Sequence, residues 1–409
     1  MNRQYVQSER AHFMCPQMCF GMEICVKRAY RSDIFISKWK ELCQAHPFLR
    51  VRIAREADTG RLYYDVSPEC ALDFELRNSA DTLFRDFASV EAAGWNVFRE
   101  GLMRVFAYPE GDQTRVLLAA HHLLTDGVGL ANLALEFADA YAGGVAPVYA
   151  EEALMTDIGE ISGARGLTGI SRALVRYANR KWRGEAKAAD YERYIEFSKD
   201  YAAAHPVTYE CFCLNEDRLA EIRAECRENG VTVNDWLLAQ TLIRANTRKI
   251  IVAADIRGRL ANDRKGALGN YATAFSVVCG SKTRDVWQKA KKVHRLVSDV
   301  KSDPQRLTQV LACYFEMEPG LLDAAAMSAL GGFSSKAASF VGKRMFGFGG
   351  AGSYSVTNLG KFESQNASLL RFIPPASPAA KATIGVVTLN REMRVCVSGH
   401  ARSDGGAQE

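Results

Sequence analysis

Only seven histidines occur among the 409 residues, and two of them, His121 and His122, stand side by side at the end of the apolar run "LLAAHH". Asp126 and Gly127 follow after three intervening residues. An imidazole is suited to taking a proton near neutral pH because its ordinary pKa is about 6.5. A histidine pair can instead ligate a metal, but the spacing argues against that use. Neighbouring side chains of a strand point to opposite faces, so the two rings cannot share one site while strand geometry continues through them. The HExxH pattern of helical zinc ligands is also missing. The residues therefore suggest one histidine held in the core and one facing a cleft. Asp126 falls where a helix would start, within reach of free amides and the positive end of the helix dipole. The plain alternative is that Asp126 is only a cap and the histidines only end a strand.

The elements that must position these residues read as an alternation of strands and helices. "CFGMEICVK" reads as a strand, and "SDIFISKWKELCQAH" as a helix with Ser32 or Asp33 as its cap and Pro47 as its stop. "LRVRIARE" and "RLYYDVS" form a hairpin across "ADTG", and "LMRVFAYPEGDQTRVLLAAHH" forms a second one across "PEGD". Helical periodicity resumes in "LANLALEFADAYAGG", which stops on glycine. A charged stretch from Ala150 to about His205 lacks a sheet pattern and reads as a crossover. Beyond it come a strand "VTYECFCLN", two helices, the strands "IIVAADIR" and "NYATAFSVVC", and a helical block from about Lys282 to Phe346. The strands "SYSVTNLG", "KATIGVVTLN" and "MRVCVSG" follow. This order predicts an α/β protein of two similar lobes, residues 1–180 and 207–409, joined by a linker at 181–206.

Composition narrows the function classes. Hydrophobic residues make up 48% and charged residues 24%, enough to bury a large core. The net charge of +5 is spread without a basic run, which does not favour a nucleic-acid partner. No secretory leader and no apolar stretch long enough to span a membrane is present, so a cytoplasmic protein is expected. Eleven scattered cysteines then read as reduced thiols, mostly small core residues. "CPQMC" and "CFC" lack the second pair that a zinc site needs, so no metal is expected.

The segment "HHLLTDG", His121 to Gly127, resembles the HHxxxDG signature of the superfamily of chloramphenicol acetyltransferase and nonribosomal peptide condensation domains. That superfamily also includes alcohol acetyltransferases, wax ester synthases and polyketide-associated acyltransferases. Further stretches resemble it in order and spacing: "KWKELCQAHPFLRVRI", "GVTVNDWLLAQTLIRA", "VAADIRGRL", "ALGNYATAF" and "SVTNLG". The DFGWG motif of the plant branch is absent, with "SVTNLG" in its region, so a plant-type protein is disfavoured.

The resemblance implies two chloramphenicol-acetyltransferase-like lobes in a V, with a tunnel between them. It implies His122 as the general base of an acyltransferase and His121 in a structural role. Asp126 would pair with an arginine of the second lobe, for which Arg257 is the candidate, and Gly127 would allow close approach of backbone at the tunnel wall. Breaking such a buried pair would cost about 3 to 5 kcal/mol. An oxyanion donor is sought among Ser355, Thr357 and Asn358; Asn270 is a further tunnel residue, or simply a turn residue. The expected reaction moves an acyl group from a thioester, acyl-CoA or acyl carrier protein, to a small alcohol or amine. No permanently bound cofactor is implied. The alternative is a catalytically idle condensation-domain-like protein that binds a carrier protein or small ligand, since a fold does not fix a function.

Overall fold

The computed structural model describes residues 3–68, 72–262, 264, 266–350 and 352–400. Two large sheets organise them. In the first, the strands run in the order Ala367–Ile373, Cys19–Val26, Gln113–His121, Met103–Glu110 and Asp73–Leu76. Strand Cys19–Val26 is buried at every residue, and so is most of Gln113–His121. Helices Gly127–Gly143 and Leu83–Ala93 both pack on these two strands. An apolar run rather than an alternating pattern is what a strand covered by helices requires. In register, Cys19 lies opposite His121 and Val26 opposite Thr114.

The second sheet has six strands, in the order Ala272–Val278, Lys249–Asp255, Tyr354–Phe362, Ala382–Leu389, Glu392–His400 and Val207–Leu214. Tyr354–Phe362 runs parallel to both of its neighbours, while the remaining pairs are antiparallel. Helices Val233–Arg244 and Val286–Lys301 cover it, burying Leu238, Leu242, Val293 and Val297 against Ile250, Val252 and Val277. A small sheet of Gln4–Tyr5, Leu62–Val66 and Val51–Arg55 completes the strands among the described residues. The chain is thus a two-lobed α/β protein.

Strand Ala367–Ile373 comes from the second half of the sequence yet forms the edge of the first sheet, antiparallel to Cys19–Val26 with Ile373 opposite Gly21. The charged crossover is helical, as Gly169–Glu185 and Tyr191–Ala204. The reduced-thiol expectation is corrected: Cys43 is disulfide-bonded. Cys211 and Cys396, directly opposite each other on adjacent antiparallel strands, are disulfide-bonded.

Candidate functional site

Strand Gln113–His121 ends at the first histidine, and the chain then turns, with the Leu124 amide donating to the His121 carbonyl at 2.9 Å. The turn sends the two rings to different places. The His121 ring is buried, accepts from the Leu123 amide at 3.1 Å and stands edge-on to Trp95. Burial, with His122 nearby, pushes its pKa down to about 3. The ring is neutral at any ordinary pH.

His122 lines a cavity of about 370 Å³ between the lobes. The His122 and Asn270 side chains are 2.9 Å apart, from ring Nδ1 to amide Oδ1, and the Asn270 amide nitrogen donates to the His122 carbonyl at 2.8 Å. The amide oxygen can only accept, so Nδ1 carries the proton and Nε2 keeps its lone pair. Nε2 has no hydrogen-bond partner among the described residues. Burial lowers the His122 pKa, with Asp126 and the bond to Asn270 opposing it in part. The ring is therefore neutral near pH 7 and able to accept a proton.

Asp126 caps helix Gly127–Gly143, accepting from the Gly129 amide at 2.9 Å. Its other contacts cross to the second lobe. Arg257 grips the carboxylate with two bonds of 3.0 Å, and the Tyr271 amide donates at 2.8 Å. Arg257 also meets Asp255 at 3.0 Å and lies over the Tyr271 ring. Burial weakens the Arg257 cation, but Asp126 and then Asp255 outweigh it and raise its pKa. None of these bonds reaches His122. Asp126 and Arg257 hold the Gly269–Tyr271 segment against the histidine turn, and so place Asn270.

Gly127 leaves no room for a side chain: a Cβ there would stand 2.7 Å from Leu359 and 3.2 Å from Phe372. Ser355 and Thr357, on one face of strand Tyr354–Phe362, line the cavity, while Val356 between them enters the second lobe's core. Asn358 falls on the other face, bonds Asn234 at 3.3 Å and the Gly360 amide at 3.0 Å, and does not line the cavity. Asn270 lines it, but its amide is spent on His122.

His12 is a site residue that the sequence did not disclose. It sits in the short helix Arg10–Phe13, which Arg10 ties to Asp323 at 3.0 Å. Its ring stacks on His122 at 4.2 Å between centroids and 13° between planes. Burial, with the two other histidines, holds its pKa well below the usual range. "ERAHF" has no spacing relative to the motif that could have disclosed it.

No protein-family model and no curated protein matches the chain. Solved structures match over nearly all of it. The first condensation domain of the CDA synthetase covers 99% of this chain and 92% of its own, with a TM-score of 0.60 at 14% identity. The condensation domain of the Monacolin K polyketide synthase MokA gives 0.59 at 10% identity, covering 98% and 92%. Polyketide synthase associated protein 5 from Mycobacterium tuberculosis gives 0.55 at 14% identity, covering 98% and 94%. The chain has the condensation-domain fold. The resemblance read from the sequence thus holds at the level of the fold. In this version of the condensation-domain fold, "HHLLTDG" supplies the strand end, the turn and the helix cap at the lobe boundary.

Proposed function

We propose that the chain is an acyltransferase, moving an acyl group from the thioester of coenzyme A or an acyl carrier protein to an alcohol or amine. The observation that carries this reading is the state of His122. Its Nδ1 is held by Asn270, its Nε2 is free, and its ring forms a wall of the interlobe cavity. In the proposed step Nε2 takes the proton of the acceptor hydroxyl or amine as that atom attacks the thioester carbonyl carbon. The tetrahedral intermediate collapses, the carbon–sulfur bond breaks, and the imidazolium returns the proton to the leaving thiolate. Ser355 and Thr357, whose hydroxyls have no hydrogen-bond partner among the described residues, are the proposed donors to the oxyanion. Holding both reactants beside one imidazole supplies a further part of the rate by proximity. Asp126, Arg257 and Gly127 act as structural support in this reading, and His121 and Asn270 fix the turn and the tautomer. The thioester is a co-substrate rather than a resident cofactor.

Mass spectrometry of products after incubation with mixed acyl-CoA donors and a cell extract tests both halves of the reaction at once. The expected result is an acyl ester or amide whose formation falls roughly 100- to 10,000-fold in His122→Ala. Full turnover in that variant would sink the base assignment. Ligand binding without transfer from any acyl-CoA or acyl-carrier donor, unchanged in the variant, would favour the idle binding protein instead.

A further inference from the structure

A second concavity, of about 660 Å³, lies outside the reaction cavity and meets it along Lys343 and Arg344. We propose that this basin binds a phosphate-bearing anion. Four cations converge on it, Arg193, Lys336, Lys343 and Arg344, and no acidic residue lines it. None of the four has an ion pair or side-chain hydrogen bond among the described residues, whereas Arg10, Arg115, Arg257 and Arg371 are all paired with carboxylates. Like charges gathered without counter-ions repel one another, and a multivalent anion relieves that repulsion.

An independent observation points the same way. Ser328 also lines the basin; it is 7% exposed, and its hydroxyl has no partner. A buried hydroxyl left unpaired is destabilising, and donating to an anion oxygen would satisfy it.

The walls are built to hold this arrangement. Lys343 and Arg344 stand on a π-helical turn, Val341–Met345, a rare geometry that recurs at functional sites. Gly342 presses this turn onto helix Pro319–Leu330, where an added Cβ would strike the Ala325 carbonyl. On the opposite wall Phe197 packs against Gly332 so closely that a Cβ there would enter its ring. Arg193 lies one helical turn before Phe197 on the same helix. The carbonyl end of helix Pro319–Leu330 also attracts cations, but it amounts to about half a charge. Four cations exceed that need.

Calorimetric titration of the full chain with pyrophosphate needs no turnover, so it is read separately from acyl transfer. The expected result is saturable binding that weakens with added salt and falls at least tenfold in the Arg193→Ala, Lys336→Ala double variant. Both side chains are exposed, and circular dichroism would verify the fold. Ser328→Ala is expected to weaken binding severalfold, and Arg176→Ala, outside the basin, to leave it unchanged. Adenosine 3′,5′-bisphosphate binding more tightly than pyrophosphate would assign the basin to a phosphate ester; equal binding would assign it to free phosphate. Absence of pyrophosphate binding, or binding indifferent to the double variant, would overturn the proposal. So would retention on phosphatidylglycerol vesicles that pyrophosphate fails to reverse, which would make the face a membrane contact.

Discussion

At the scale of single residues the decisive atom is the Asn270 amide oxygen. It makes His122 Nε2, rather than Nδ1, the proton acceptor. A carboxylate in its place would favour the charged imidazole and raise its pKa, typically by one unit or more. Asn270→Asp is therefore expected to move the acid limb of the kcat profile to higher pH, whereas His122 in the parent protein titrates below its ordinary value. An acid limb that stays in place across that substitution would mean that Asn270 does not act through the ring. The motif made His121, His122, Asp126 and Gly127 legible in the sequence because all four belong to one local strand–turn–helix junction. His12 and the roles of Asn270 and Asn358 were not legible. His12 meets His122 from a helix that Arg10 ties to the distant Asp323, and the face of Asn358 depends on the phase of one strand. Neither leaves a local trace.

At the scale of elements, helix Gly127–Gly143 carries most of the site's geometry, and its first turn tolerates little. Glycine to alanine inside a helix ordinarily gains about 1 kcal/mol. At Gly129 the new methyl would instead be driven into the Thr125 side chain and lie 3.2 Å from the Arg257 guanidinium. Gly129→Ala is therefore expected to lower stability by about 1 to 3 kcal/mol in urea unfolding. A gain in the midpoint would refute the crowding argument. Periodicity located this helix and most strands well, but cap chemistry was less transferable. Asp126 does cap its helix, whereas Ser32 and Asp33 lie inside the first turn of theirs, whose cap position is Arg31 with no side-chain bond. Strand Ala367–Ile373 escaped the sequence reading, and its partner, Cys19–Val26, lies far away in the chain. Nothing near "ASLLRFI" names that partner.

For the whole molecule, buried titratable groups set a dependence of stability on pH. His12, His121 and His122 have depressed pKa values in the folded state. The unfolded chain therefore takes up protons that the native one refuses, and stability falls as pH drops below about 6.5. Glu9, Glu91 and His46 act in the other direction. Burial raises Glu9 to about 7 and Glu91 to about 8, while Glu136 and Glu152 outweigh burial to raise His46 to about 9. Native proton uptake at these three is lost as pH rises through their folded values, each worth up to roughly 1.4 kcal/mol per pH unit. Below pH 6.5 the two carboxyls partly offset the histidines; above it the histidines' own contribution fades and the loss prevails. Urea midpoints are thus expected to peak near pH 6.5 and to fall more steeply toward pH 9 than toward pH 5; a flat profile would contradict these protonation states. The crossing strand Ala367–Ile373 has a different consequence, in time rather than in energy. Cys19–Val26 is made early, but its outer partner ends at residue 373. At synthesis rates of about 5 to 20 residues per second, that edge waits on the order of tens of seconds with its backbone groups unpaired. The first lobe is therefore completed only after most of the second has been made, and until then its most buried strand is the nascent chain's exposed edge.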